Sequence, residues 1–346
     1  MKQNKRRAPV SRTIERVPSA LRSTYRSLGL FVFLVPLAWA EPPDVYQCRS
    51  LKSETERLRC YDRLPLGAET TPRPTGDIAP SDGRPALEQR LEKERDLARR
   101  AFAVIPYRPN YILHTYSHQP NVTPFLAEDP NTDFQHQEIK FQFSLRVPLY
   151  NKMFGENGDL WFGYTQLSFW QAYNWERSSP FRETSHEPEL GLSFNTDFPL
   201  IGLKHRLLML GLSHQSNGRG EPLSRSWNRL WASFQLERGN FLLTLKPWVR
   251  IPESSRHDGN PDILDYVGRA ELRSSYKYRE QVVSFMLRNN LLGADNRSGY
   301  ELGWSFPFSK RIKGFMQLYN GYGESLIDYD VRNRRVGLGI LVEDWL

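Results

Sequence analysis

From about residue 106 to the end, apolar and polar positions alternate along the chain. Tyr300, Leu302, Trp304 and Phe306 share one parity, and Glu301, Gly303 and Ser305 share the other. Val336, Leu338, Ile340 and Val342 likewise oppose Gly337 and Gly339. A period of two sends successive side chains to opposite faces of a strand. The pattern predicts strands over 111–117, 139–150, 160–173, 189–196, 203–216 and 226–237, then over 241–251, 266–278, 282–291, 300–308, 312–322 and 335–346. These are about twelve segments of roughly ten residues, the even number that single-chain outer-membrane barrels require. The expected fold class is therefore all-β, a transmembrane antiparallel β-barrel of about 12 strands. A soluble antiparallel sandwich is the competing architecture.

Composition favours the barrel. The mean hydropathy is −0.60 although 13% of residues are aromatic. Beyond the N-terminal region no apolar run approaches the ~18 residues of a membrane helix. A polar average with abundant rings suits strands that face lipid on one side and a wet interior on the other.

The formal charge of +8 is concentrated at one end. The first 40 residues carry eight basic side chains and one acid, Glu15; the remainder holds 39 basic and 38 acidic residues. The basic stretch, the apolar run 28–37 and Ala38-Trp39-Ala40 have the layout of a signal peptide with its cleavage site, a short membrane anchor being the alternative. With that segment removed, no surplus of charge points to nucleic acid. Two cysteines follow, Cys48 and Cys60, a pair that usually closes a disulfide in an oxidising compartment. Without a CxxC or Cys/His cluster, zinc and redox chemistry have no support. The stretch 41–63 reads as a small helical unit, 64–85 as a Pro/Thr/Gly/Asp-rich linker, and 85–95 as a charged helix of strong helix formers. The expected organisation is a signal peptide over 1–40, a periplasmic extension and linker over 41–105, and a barrel over 106–346. The extension serves as a spacer or folding clamp, or alternatively binds peptidoglycan or a partner.

Candidate chemistry lies in Gly211-Leu212-Ser213-His214-Gln215-Ser216-Asn217-Gly218-Arg219 and in Ser224-Arg225-Ser226-Trp227-Asn228-Arg229. His214 and Ser216 are two apart on a strand, on the parity of Leu208, Leu210 and Leu212. Asn228 shares its face with Leu230, Ala232, Phe234 and Leu236. All three polar groups therefore continue faces that look out to lipid, where a polar cluster costs desolvation energy unless it serves a purpose. A hydroxyl, an imidazole and an amide in this order suit the serine-hydrolase template, with Ser216 as nucleophile, His214 as base and Asn228 orienting the ring. The bland reading of a His-x-Ser pair is a hydrogen-bonded turn.

These two stretches together resemble the signature of the outer membrane phospholipase A family. Further matches run in the same order: Trp161-Phe162-Gly163-Tyr164-Thr165-Gln166, Ser178-Ser179-Pro180-Phe181-Arg182-Glu183-Thr184, Lys246-Pro247-Trp248, Asn260-Pro261-Asp262-Ile263 and Tyr322-Gly323-Glu324-Ser325-Leu326-Ile327-Asp328-Tyr329. The resemblance implies a twelve-stranded barrel that hydrolyses sn-1 and sn-2 acyl esters of membrane phospholipids at the outer leaflet of the bacterial outer membrane. It implies Ser216, His214 and Asn228 as the triad, dependence on Ca²⁺, and activity as a reversible homodimer. By motif, the calcium ligands are the Arg219 carbonyl, Ser224 and Ser178 of the partner subunit, all hard oxygen donors. The family also places two acids before Asn-Pro-Asp; here Asp258 is followed by Gly259, so Asp258 is the candidate. Glu221 stands where the family has Asp. Gln166, on the outward parity of its strand, either bonds across the dimer interface, as the family implies, or reaches the headgroups.

A narrow porin and an outer-membrane hydrolase acting on lipopolysaccharide are the other readings. A porin keeps its polar groups inside and in loops, against the outward parity of His214, Ser216 and Asn228. Calcium dependence separates the phospholipase from the lipopolysaccharide hydrolase.

Overall fold

The computed structural model describes residues 48, 51–62, 83–100, 103–254, 258–309 and 312–346. The expected signal peptide lies outside these residues. The chain divides into two units, Met1–Asp77 and Ile78–Leu346. In the first, helix α1 (Glu54–Tyr61) carries Glu54 and Glu56 in its opening turn, where acids suit the helix dipole. A disulfide joins Cys48 to Cys60.

The second unit is the barrel. Strand β1 (Ile105–Pro106) and strand β2 (Asn110–Ser117) both pair with β3 (Gln137–Tyr150), at Ile105↔Arg146 and Tyr111↔Gln142, so they lie end to end as one stave. From β2 the sheet passes through β13 (Asn333–Glu343) and back in sequence order to β4 (Asp159–Trp170), which pairs with β3. The sheet is a closed ring of twelve antiparallel staves. Closure leaves no unpaired edge, which a lipid environment demands.

The two faces sort as the alternation predicts. Outside, Phe162, Leu190, Leu212, Leu230 and Val249 are consecutive cross-strand partners, each between 40% and 68% exposed. They form an apolar row across β4, β5 (Phe181–Leu200), β6 (Leu203–Ser216), β7 (Ser226–Arg238) and β8 (Phe241–Ile251). Inside, buried charges are paired. Arg182 bonds Glu138 and Asp328, Lys140 and Arg335 bond Glu324, and Arg108 reaches both Glu187 and Glu189. Pairing is the condition on which such charges stay ionised away from water.

Helix α2 (Ala86–Ala98) closes the end of the barrel where the strands are joined by short turns. Leu87 is buried and Leu91 packs on the interior cluster of Trp161, Leu207, Met209 and Trp231. Arg90 donates to the carbonyls of Trp345 and Tyr107, Glu94 pairs with Arg146 of β3, and the Ala86 amide donates to Gly239 in the β7–β8 turn. The interior holds a cavity of about 220 Å³, lined by α2 and inward side chains.

Most element boundaries differ from expectation by one to four residues, as where β4 ends at Trp170 and not 173 and β5 at Leu200 and not 196, and some of the differences are informative. β5 starts at Phe181, eight residues before the predicted 189. Its inward side chains there are Arg182, Glu183, Ser185 and Glu187, all buried, and its outward ones include His186 and Pro188, so no apolar alternation marks it. β9 (Ala270–Tyr278) begins after a short helix α3 (Leu264–Val267), not at 266. Gly268 ends that helix at φ 71°, and a Cβ there would lie 2.1 Å from the Asn289 carbonyl oxygen. The last strand stops at Glu343, leaving 344–346 outside the sheet.

Candidate active site

The polar outward positions lie immediately beyond the apolar row, toward the long loops. One step past Leu212 and Leu230, His214 faces Asn228 across β6 and β7, and Ser216 faces Ser226 at the strand ends. On the other side of β6, Ser216 is paired with His186 of β5, which is paired in turn with Gln166 of β4. Gln166, His186 and Ser216 thus form a lateral polar line on three adjacent strands. Tyr164 and His186 bond through hydroxyl and Nδ1 at 2.7 Å, and Gln166 donates to Ser168 at 3.1 Å.

His214 Nδ1 and Asn228 Oδ1 are 2.9 Å apart. An amide oxygen can only accept, so the ring nitrogen facing it carries the hydrogen and Nε2 keeps its lone pair. Among the described residues there is no hydrogen bond between Ser216 Oγ and His214 Nε2. Shared parity and a two-residue spacing put the two side chains on one face, and such bonds commonly tighten only when substrate arrives. The Asn228 amide nitrogen donates to Glu253 Oε1 at 2.9 Å.

The calcium candidates sit on loops around this pair. Loop 217–225 carries Arg219 and Ser224, and Asn217 ties it together. The Asn217 side chain donates to the Leu223 carbonyl (2.8 Å) and accepts from the amides of Arg219 (3.3 Å) and Arg225 (3.0 Å). The Arg219 guanidinium turns away to the carbonyls of Phe181 and Arg182, leaving its own backbone as the group that a cation could use. Ser178 is exposed in the β4–β5 loop at φ 59°, where it follows the single turn Trp175–Arg177. Two hard oxygens on one stapled loop fit a calcium ion. Asp258 fits less well, because its carboxylate accepts from Arg250 (2.6 Å) and from the Asn260 amide (3.2 Å). Gly259 cannot hold an acid in this loop conformation: a Cβ there would lie 2.5 Å from the Ser224 carbonyl oxygen. Among the described residues no cluster of three or more His, Cys, Asp or Glu side chains could hold a metal.

Beneath the outward pair, Gln215 accepts from both Trp227 Nε1 (2.9 Å) and Arg229 (3.1 Å), and Arg229 pairs with Glu187. This inner layer fixes β6 against β7 from the opposite face. At the rim, the buried Asn260 accepts from the Ser226 amide (3.0 Å), joining the 252–269 loop to the start of β7.

Residues 87–342 match the family model described as Phospholipase A1. The chain belongs to the phospholipase A1 family. A phospholipase A1 of Escherichia coli is 41% identical over 243 residues, 70% of this chain and 82% of that one. A putative phospholipase A1 of Neisseria meningitidis is 32% identical over 368 aligned positions, 91% of this chain and 95% of that one. Among solved structures, the outer membrane phospholipase A of Escherichia coli superposes with a TM-score of 0.67 at 40% identity, covering 71% of this chain and all of the other. The Salmonella typhi outer membrane phospholipase, a dimer with bound calcium, superposes at 0.68 with 39% identity, covering 72% and 96%. The protein is accordingly a phospholipase of the outer membrane, built on the barrel of its phospholipase A1 relatives.

Sequence reasoning did not assign roles to Glu253, His186, Asn217 or Asn260. Asn217 and Asn260 lay within quoted motifs. His186 precedes 189, in the stretch of β5 that no apolar alternation marks. Glu253 lies past a strand end, where parity says nothing.

Proposed function

We propose that the protein hydrolyses sn-1 and sn-2 acyl esters of phospholipids and lysophospholipids in the outer leaflet, using Ser216, His214 and Asn228, with calcium and as a homodimer. The observation that carries this reading is the 2.9 Å His214–Asn228 bond on the lipid-facing wall, one outward step beyond an apolar row suited to acyl chains. Ser216 Oγ attacks the ester carbonyl carbon as His214 Nε2 takes its proton. The bond between that acyl carbon and the glyceryl oxygen then breaks, and His214 returns the proton to the departing oxygen. A water molecule, deprotonated by the same nitrogen, releases the fatty acid from Ser216. Asn228 holds the ring through its oxygen and brings no negative charge of its own toward the bilayer. The Arg219 carbonyl and Ser224 would hold a calcium ion from this subunit, with Ser178 of the second copy, and the ion would supply positive charge for the developing oxyanion. Asp258 is the remaining candidate, available only if Arg250 releases it. Gln166 faces the second copy.

In this reading residues 1–40 are removed on export and 41–105 lie on the periplasmic side, where α2 closes the barrel. Short turns on the periplasmic side and long loops outside are the rule for bacterial outer-membrane barrels. The direct test is fatty-acid release from mixed phospholipid micelles by refolded protein, with calcium and with excess chelator. Release that needs calcium and vanishes in Ser216→Ala establishes the mechanism. Release that persists in Ser216→Ala removes the nucleophile.

A further inference from the structure

We infer that Glu253 is a fourth, positioning member of the catalytic array, acting on His214 through the amide of Asn228; this rests on the triad proposed above. The two ends of a carboxamide have nearly the same shape, so an orienting asparagine has a defect that an aspartate lacks. Turned over, it presents NH₂ to the imidazole, forces the hydrogen onto the wrong ring nitrogen and leaves Ser216 without a base. Something must choose between the two orientations.

Glu253 makes that choice. Its Oε1 lies 2.9 Å from Asn228 Nδ2, and Asn228 Oδ1 lies 2.9 Å from His214 Nδ1. An ionised carboxylate has no hydrogen to give, so only the NH₂ end can face it. The oxygen end must then face His214. A chain of carboxylate, amide and imidazole thus selects the Nδ1–H tautomer, with one acceptor-only group at its far end. The chain also transmits polarisation: a carboxylate drawing on the Asn228 N–H raises electron density on Oδ1, which strengthens its bond to the ring as the imidazolium forms.

The backbone explains how Glu253 reaches the site. Asn228 is paired with Ile251, the last residue of β8, so Glu253 lies two residues beyond that partner, where the chain leaves the sheet. The negative charge is thereby kept at the half-buried rim, beyond the end of β8 and one residue removed from the ring. A triad with aspartate in the position of Asn228 would put that charge on the outward face itself, where desolvation opposes it.

The test compares Glu253→Ala, Glu253→Gln and Glu253→Lys in refolded, calcium-loaded protein, with Ser216→Ala as control and melting temperature as the check on folding. Glutamine keeps an acceptor for Asn228, whereas lysine offers only donors and favours the reversed amide. The expected order of kcat is wild type, then Gln within about threefold, then Ala at least about tenfold down, then Lys lowest, with KM little changed; losses of this size are usual when a group orienting a site residue is removed. The same order is expected for labelling of Ser216 by a sulfonyl fluoride, which reads the base without lipid binding. Wild-type kcat in Glu253→Ala, or Lys equal to Gln, overturns the inference while leaving the triad intact. Turnover that survives in Ser216→Ala instead overturns the triad reading and the inference with it.

Discussion

The Asn217 side-chain amide donates to the Leu223 carbonyl at 2.8 Å, which closes the 217–225 loop on itself just beyond Ser216. With the Arg219 and Arg225 amides also on its oxygen, one buried side chain sets the path of the segment that carries Arg219 and Ser224. Asn217→Ala should therefore raise the calcium concentration for half-maximal turnover by about tenfold or more, the usual scale for losing support behind a metal ligand. A calcium titration of fatty-acid release measures this. An unchanged midpoint would detach the loop from the calcium site.

Assigning Ser178 to the partner's site leads to a complementation experiment. Ser216→Ala and Ser178→Ala homodimers should each be strongly impaired. In a mixed dimer, the subunit retaining Ser216 receives Ser178 from the other, so one complete site returns. Mixing the two variants in detergent and re-forming dimers should restore roughly a quarter of wild-type turnover, because random exchange makes about half the dimers mixed and each holds one working site of two. No recovery would mean that Ser178 acts within its own subunit.

Replacing Asn228 with aspartate yields the commoner Ser–His–Asp set, yet turnover should fall. The new carboxylate would occupy a position whose present amide nitrogen is 2.9 Å from Glu253 Oε1. Two like charges at that separation repel, and one must take up a proton or move. Asn228→Asp should regain activity when Glu253 is also changed to Gln, and comparison of the single and double variants measures the coupling.

At the opposite end, Glu94 controls how α2 is held. Burial pushes its carboxyl upward, but the guanidinium groups of Arg146 and Arg90 outweigh that effect and keep it below the usual carboxylate range. A depressed folded pKa contributes stability above the unfolded value of 4.5 and loses it as pH falls through the folded value. Hydrogen exchange in α2 should accordingly speed up in acid once the pH falls below 4.5 and through the folded value, while the strands stay protected. Glu94→Ala should show the faster exchange already at neutral pH with catalysis unaffected, since the reacting groups lie near the long loops. Equal exchange in the variant and the wild type at pH 7 would remove the ion pair from any role in docking.

The ring of twelve staves was legible because its outer face repeats a simple alternation against a polar interior. Where the alternation fails, the reading failed: Pro188 and His186 hid the first eight residues of β5, and with them the histidine paired with Ser216. The outward parity of His214, Ser216 and Asn228 was readable from the strands alone, because two-residue spacing carries across a hairpin. Glu253 was not, since its contact depends on where the chain goes after β8 ends. Gly259 stands where the family has an acid, and the approach of the Ser224 carbonyl supplies a steric reason for it.

With the proposed triad on the outer wall and the sheet between it and the bore, an ester reaches Ser216 from the lipid side and not through the protein. Both substrate and products must move sideways within the leaflet. The enzyme therefore works in two dimensions, and its speed follows the mole fraction of phospholipid around it, not the amount per volume of water. Diluting the surface with an inert amphiphile at constant total lipid slows such a catalyst, whereas diluting the whole suspension leaves it running at the same pace.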